Sequence, residues 1–315
     1  MSQDTDTPWE RQVLERLASE TLAERRRARR WNVAIRLVFL AYLIAVTLSL
    51  MKPWSPEGLA GNAQITAKVK VEGILLPDSP ANAKALIEGL RRAAKAPNAK
   101  GILLEMNSPG GSPVQAALVY DAIRRLKKEK PDLPVVAVVQ DMCASGCYYI
   151  AAAADKIYVS PYSIVGSIGV IMNGFGFVEA MKKLGIERRL LTAGEHKALL
   201  DPFSPVKPEE KAHVQGLLNE VHRQFIAAVR QGRGPRLKDD PKIFSGLIWV
   251  GHQGIELGLA DAIGDTYSVA REVIGVEKIV DFTPEENVWE RLARRFGTSL
   301  GTMLAAAVGS ARLGP

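Results

Sequence analysis

Between residues 65 and 230 the sequence keeps switching between two hydrophobic periods, and that alternation restricts the fold more than any other feature. Residues 65–71 (ITAKVKV) alternate apolar with polar, the period of a half-buried strand. Residues 82–95 then carry Ala85, Leu86, Leu90 and Ala93 at helical spacing. The same reading predicts a strand over 100–106, a helix over 113–130, a buried strand over 135–139 and a small-residue helix over 146–154. Further strands are expected at 156–159, 168–171 and 188–191, with helices at 179–184 and 208–230, the last starting on Pro208 as helix N-termini favour. Strand and helix alternating in this way build an α/β body with mainly parallel pairing.

Upstream, residues 33–51 (VAIRLVFLAYLIAVTLSLM) are apolar apart from Arg36, Thr47 and Ser49. Nineteen helical residues span about 28 Å, close to the ~30 Å hydrocarbon core of a bilayer. Five of the six residues 25–30 are Arg, and Trp31 follows at the expected interface. The run is longer than a signal-peptide core and ends without a small-x-small cleavage site, so an uncleaved anchor is the expectation. Positive charge on the near side puts the N-terminus in the cytoplasm and the remainder outside. The expected organisation is a cytoplasmic basic segment (1–31), a transmembrane anchor (32–52), a linker (53–63), an α/β domain (64–286) and a C-terminal amphipathic helix or tail (287–315). That tail carries Trp289, Leu292, Phe296, Leu300, Met303 and Leu304 at helical spacing. It suits a lipid surface, another protomer or plain core docking.

The chain has a formal charge of +7, but residues 37–286 carry 29 basic and 27 acidic groups, which argues against a nucleic-acid-binding body. Cys143 and Cys147 are too few for a disulfide framework and lack the further ligands of a zinc site. A helix through both would make a bridge awkward, so they are read as packing thiols. No metal or organic cofactor is indicated.

Three loops of small residues carry the candidate chemistry. In the first, residues 107–112 (NSPGGS), Gly110 and Gly111 follow an apolar strand and either expose backbone N–H groups to an oxyanion or simply make a tight turn. In the second, residues 143–149 (CASGCYY), Ser145 stands between a buried strand and an Ala-rich helix, as a nucleophile or as a helix N-cap. The third is residues 166–170 (GSIGV), with 194–197 (GEHK) after it. A serine nucleophile needs a base. His213, His222 and His252 have nothing to single them out, whereas Lys197, in an apolar setting, suits a lysine whose neutral amine accepts the proton, with His196 next in line.

Together these stretches resemble the signal peptide peptidase A serine proteases, peptidase family S49. The matching segments are 107–111 (NSPGG), 144–150 (ASGCYYI), 152–157 (AAADKI), 166–170 (GSIGV), 194–197 (GEHK) and 246–265 (GLIWVGHQGIELGLADAIGD), so the likeness covers roughly residues 65–268. It implies the fold of repeated ββα units shared by the Clp protease subunit and the crotonases. It further implies Ser145 as nucleophile, Lys197 as general base, Ser167 as the group orienting the lysine, and an oxyanion hole from Gly111 (or Gly110) and Gly146. Cys147 departs from the family, which usually has glycine there. With one copy of each motif the chain resembles the short, single-repeat members, in which serine and lysine meet between neighbouring protomers of a ring. The implied function is a membrane-anchored endopeptidase acting on remnant signal peptides or misfolded envelope polypeptides at a bacterial inner membrane, with the catalytic domain periplasmic. Alternatives are a catalytically silent ring-forming scaffold and a crotonase-like acyl-CoA enzyme.

Overall fold

The computed structural model describes residues 27, 29–46 and 63–284, which fall into two units. The N-terminal unit is helical over residues 29–46, and its large apolar side chains, Val38 and Phe39 among them, are exposed. Among the described residues no helix is long and apolar enough to cross a membrane. The expected span runs on to residue 51, and residues 47–51 lie outside the described part. The expected segments 1–31 and 53–63 lie mostly outside it as well, and 287–315 wholly so.

In the second unit, β1 (Ile65–Glu72) leads through α1 (Ala83–Lys95) to β2 (Ala99–Ser108), and α2 (Pro113–Glu129) leads to β3 (Val135–Ala144). The three strands pair in parallel, as helical crossovers require. Asn82 caps α1 by accepting the Ala85 N–H, a contact worth about 1 kcal/mol. Leu86 and Leu90 of α1 and Val119 and Ile123 of α2 pack on Val69, Val71, Leu104 and Met106 from one sheet face. The opposite face buries a smaller cluster around Leu103, Val136 and Val138.

After β3 come α3 (Gly146–Ala151), β4 (Lys156–Val159), β5 (Ile164–Gly166), the short α4 (Val178–Lys183) and the long α5 (Pro208–Arg233). The strand β6 (Ile248–Val250), then α6 (Gly251–Glu256), β7 (Ala262–Ile263), α7 (Thr266–Val269) and β8 (Ile279–Asp281) complete it. The sheet forks at β3. Its first half, Val136–Val139, pairs with β4, and its last residues, Met142–Ala144, pair with β5. At the fork the buried Ser163 hydroxyl lies 2.5 Å from the Gln140 carbonyl oxygen, holding the chain where the partners change. The strand expected to end at residue 139 therefore runs on to Ala144, past the polar pair Gln140-Asp141.

Two expected strands are absent. Residues 168–171 form none; the strand lies earlier, at Ile164–Gly166, because Gly166 (φ +100°) and Ser167 (φ +52°) turn the backbone out of extended geometry. Residues 188–191 form none either, and Leu191 is 97% exposed. Apolar residues make a strand only where a ladder partner is at hand, and beyond the buried Ile168 most of residues 171–197 are exposed. From that stretch Phe177 stacks on Phe203 at 5.4 Å and Arg188 pairs with Asp201 at 3.3 Å.

Candidate active site

The fork brings three strand ends together. Ser108 at the end of β2 registers with Cys143 of β3, and Ala144 of β3 with Gly166 of β5. All three strands are parallel, so the loops after them leave the same edge of the sheet, where open α/β sheets hold their ligands.

Ser145 is the first residue beyond β3. Its backbone stands at φ 54°, ψ −124°, the first central position of a type II′ turn, where glycine is usual. A residue with a side chain held there costs about 1–3 kcal/mol and persists only where its surroundings over-determine it. The Ser145 N–H donates to the Gly166 carbonyl at 2.9 Å, tying the turn to the end of β5. Although Ser145 occupies the N-cap position of α3, its side chain makes no capping hydrogen bond. The capping alternative for this serine therefore lapses, and the hydroxyl is left half-exposed.

Gly110 is packed against this turn. A Cβ there would come within 2.6 Å of the Gly146 nitrogen and 2.9 Å of the Ser145 Cβ. Its N–H is already engaged, donating to the Ser108 hydroxyl at 3.1 Å. Around Gly111 the bonds to Leu75 run through the Gly110 carbonyl and the Ser112 N–H, so the Gly111 N–H faces away from Leu75. It lies on the Gly146 side, 3.3 Å from where a Gly146 Cβ would stand. Of the two glycines in this loop, Gly111 is thus the one whose N–H has no partner among the described residues, beside that of Gly146.

Ser167 stands next to the Gly166 carbonyl that holds Ser145 and donates its N–H to the Leu247 carbonyl at 2.7 Å. His222 of α5 reaches the same loop, its Nε2 lying 3.0 Å from the Ile168 carbonyl oxygen, a contact that sequence spacing did not signal. His213 is exposed, and His252 lies 3.4 Å from Glu256 on the surface. Lys197 and His196 are exposed in the turn region that follows Gly194, and no hydrogen bond joins the Ser145 hydroxyl to either among the described residues. The structure thus gathers Ser145, Gly110, Gly111, Gly146 and Ser167, while no hydrogen bond joins the exposed Lys197 to any of them among the described residues.

The two cysteines depart from expectation. They form a disulfide across the turn, with Cα atoms 5.0 Å apart. The packing-thiol reading assumed a helix through both, but Cys143 is the penultimate residue of a strand and Cys147 lies in the first turn of a helix. Chain reversal at Ser145 brings their Cα atoms within the usual range for a bridge. A separate polar cleft of about 310 Å³ is lined by Lys70, Glu72, Glu105, Asn107, Gln140, Asp265, Thr266 and Tyr267, and does not include Ser145.

The family model for peptidase family S49 matches residues 126–278, which takes in Ser145, Ser167 and Lys197 but not the Gly110–Gly111 loop. The chain is 41% identical over 226 residues to a Na(+)/H(+) antiporter NhaA of Brucella melitensis, a match covering 71% of this chain but only 30% of that protein. It is 34% identical to a candidate protease of Methanocaldococcus jannaschii, over 68% of this chain and 69% of that one. It is 32% identical to a candidate signal peptide peptidase SppA of Enterococcus faecium, over 58% and 53% of the two chains. The described strand ends carry the motifs by which the sequence resembled that family, and the chain belongs to peptidase family S49.

Proposed function

We propose that the chain is a serine endopeptidase with Ser145 as nucleophile and Lys197 as general base. The observation that carries this reading is the uncapped Ser145 hydroxyl on a strained turn, beside the spare N–H groups of Gly111 and Gly146. In the reaction the Ser145 Oγ attacks the scissile carbonyl while its proton passes to the Lys197 amine. The carbonyl oxygen, now negative, accepts hydrogen bonds from the Gly111 and Gly146 N–H groups. The amine product leaves with the proton returned by the lysine, and water then releases the acyl group by the same steps reversed. Ser167 orients the lysine. Gly110→Ala forces a Cβ against the Ser145 turn and is expected to slow labelling by a fluorophosphonate probe about 10²-fold or more. Labelling at the wild-type rate would remove this loop from the site.

The substrates of this reading are remnant signal peptides or misfolded envelope polypeptides, as the resemblance and the Enterococcus relative's name suggest. The antiporter's name transfers no activity, since the match spans under a third of that protein. A membrane anchor over residues 32–52 is favoured by the exposed apolar helix at 29–46, with the N-terminus cytoplasmic and the catalytic domain, 64–286, periplasmic. The Cys143–Cys147 bond fits the same side of the membrane, since disulfides persist in oxidising compartments.

Lys197 reaches Ser145 from a neighbouring protomer in a homo-oligomeric ring. Its segment carries Ile171, Met172, Phe175, Leu184 and Leu191, all exposed, an apolar surface that a second copy would cover. Ser145→Ala and Lys197→Ala are each expected to be inactive. Co-assembled, they should regain part of the activity, because some interfaces receive both intact residues. Mixed rings that form but stay inactive would place the pair within one chain. Lys197→Arg should also be inactive, since a guanidinium cannot give up its proton.

A further inference from the structure

We infer that the Cys143–Cys147 disulfide is a positioning device for the nucleophile, locking the turn that aims the Ser145 hydroxyl at the oxyanion donors. This rests on the reading of Ser145 as nucleophile. Ser145 is the middle residue of the five that the bond encloses. Its conformation is one that a residue with a Cβ adopts only under constraint. Two constraints come from outside the ring: the Ser145 N–H bound to Gly166, and Gly110 pressed against the Ser145 Cβ. The third is the bond itself, which fixes the separation of the two ends of the turn.

Those ends are firmly seated. Cys143 lies mid-sheet, registered with Ser108 on one side and Val165 on the other. Cys147 is in the first turn of α3, and both side chains are fully buried. A ring this short removes little freedom from the unfolded chain, so the bond adds less to global stability than one closing a long loop. What it governs is local. Catalytic geometry tolerates about 0.5 Å of error, and the ring runs through the backbone of the residue that bears the attacking oxygen. Opening the bond takes two electrons and two protons from a dithiol, which closes to its own disulfide, and leaves two buried thiols beside the serine.

The test uses the full chain in detergent, comparing wild type, Cys143→Ala/Cys147→Ala and Ser145→Ala. Thiol counting on unreduced, denatured wild type should find no free cysteine; two per chain would overturn the inference. The double alanine variant should keep its melting temperature within about 5 °C. Its fluorophosphonate labelling rate and kcat should both fall tenfold or more, with KM changed less than threefold and the pH midpoint of kcat unmoved. A purely structural role would instead lower the melting temperature along with activity, and that result, like labelling within twofold of wild type, would overturn it. If the variant fails to fold, wild type reduced with a dithiol in sub-denaturing urea should lose labelling and regain it on reoxidation; unchanged labelling with both thiols free would sink the proposal. Ser145→Ala separates the two readings. Its labelling at wild-type rate would refute the nucleophile itself, whereas its silence beside an unaffected cysteine variant would refute only the positioning role.

Discussion

Ser145→Ala is expected to lower peptide hydrolysis by at least about 10⁴-fold in kcat while leaving the fold intact, because it deletes one oxygen that makes no hydrogen bond with its own helix. The instructive companion is Ser145→Gly. At φ 54°, ψ −124° a serine costs about 1–3 kcal/mol, and glycine is relieved of that cost. Glycine in turn loses about 0.5–1 kcal/mol to its greater freedom in the unfolded chain. The balance runs from neutral to about 2.5 kcal/mol more stable, so the glycine variant should be as stable as wild type or more so while being inactive. Calorimetry beside a fluorophosphonate assay reads both. A residue kept for packing would show the reverse, with stability lost and labelling kept. That result would return Ser145 to the role of a turn residue.

The strain at Ser145 also explains why part of this site could be read from sequence and part could not. Residues 107–111 and 166–170 announce themselves because Gly110, Gly111 and Gly166 take up positive φ, and glycine marks such turns in any sequence. The helices α1 and α2 were equally legible, the expected 82–95 and 113–130 falling within a residue of the observed bounds. The fork in β3 was not. Gln140-Asp141 interrupts the apolar run and looks like a strand end, whereas the strand there changes neighbours and Ser163, far along the chain, covers the exchange. The disulfide was missed for a related reason: four-residue spacing means one thing within a helix and another across a reversal, and the reversal depends on a serine in a conformation its own side chain disfavours. Residues 168–171 and 188–191 read as strands because short apolar stretches report which side chains want cover and say nothing of where a partner edge lies. In the ring reading that cover is another protomer, which no single sequence encodes locally.

Asp261→Asn is expected to destabilise the catalytic unit by about 3–5 kcal/mol, or roughly 6–20 °C in melting temperature. Arg233, at the end of α5, has its side chain wholly buried and grips both oxygens of Asp261 at 2.8 and 3.0 Å, its Nε donating to the Gly258 carbonyl. Asp261 also accepts the Ile157 N–H at 2.7 Å, so the pair binds the long helix to the start of β4. Burial alone pushes the Asp261 carboxyl up, but the hydrogen bond and charge of Arg233, with the Ile157 N–H and the charge of Arg236, together outweigh it and hold its pKa below the usual carboxylate value. A carboxylate lowered on folding stabilises the fold fully above its unfolded pKa of about 3.9 and loses that contribution as pH falls through the folded-state value. Wild type should therefore lose stability on acidification below about pH 4 more steeply than Asp261→Asn, which begins lower and changes less. Arg233→Met in the same chain should recover part of the loss, because the large cost in the single variant is the buried, unpaired guanidinium, not the missing attraction. Denaturant midpoints across pH 3–7 for the three proteins decide it. A single-variant loss under about 1 kcal/mol, or no recovery in the double variant, would mean that water reaches Arg233 and that the helix is held by its apolar face alone.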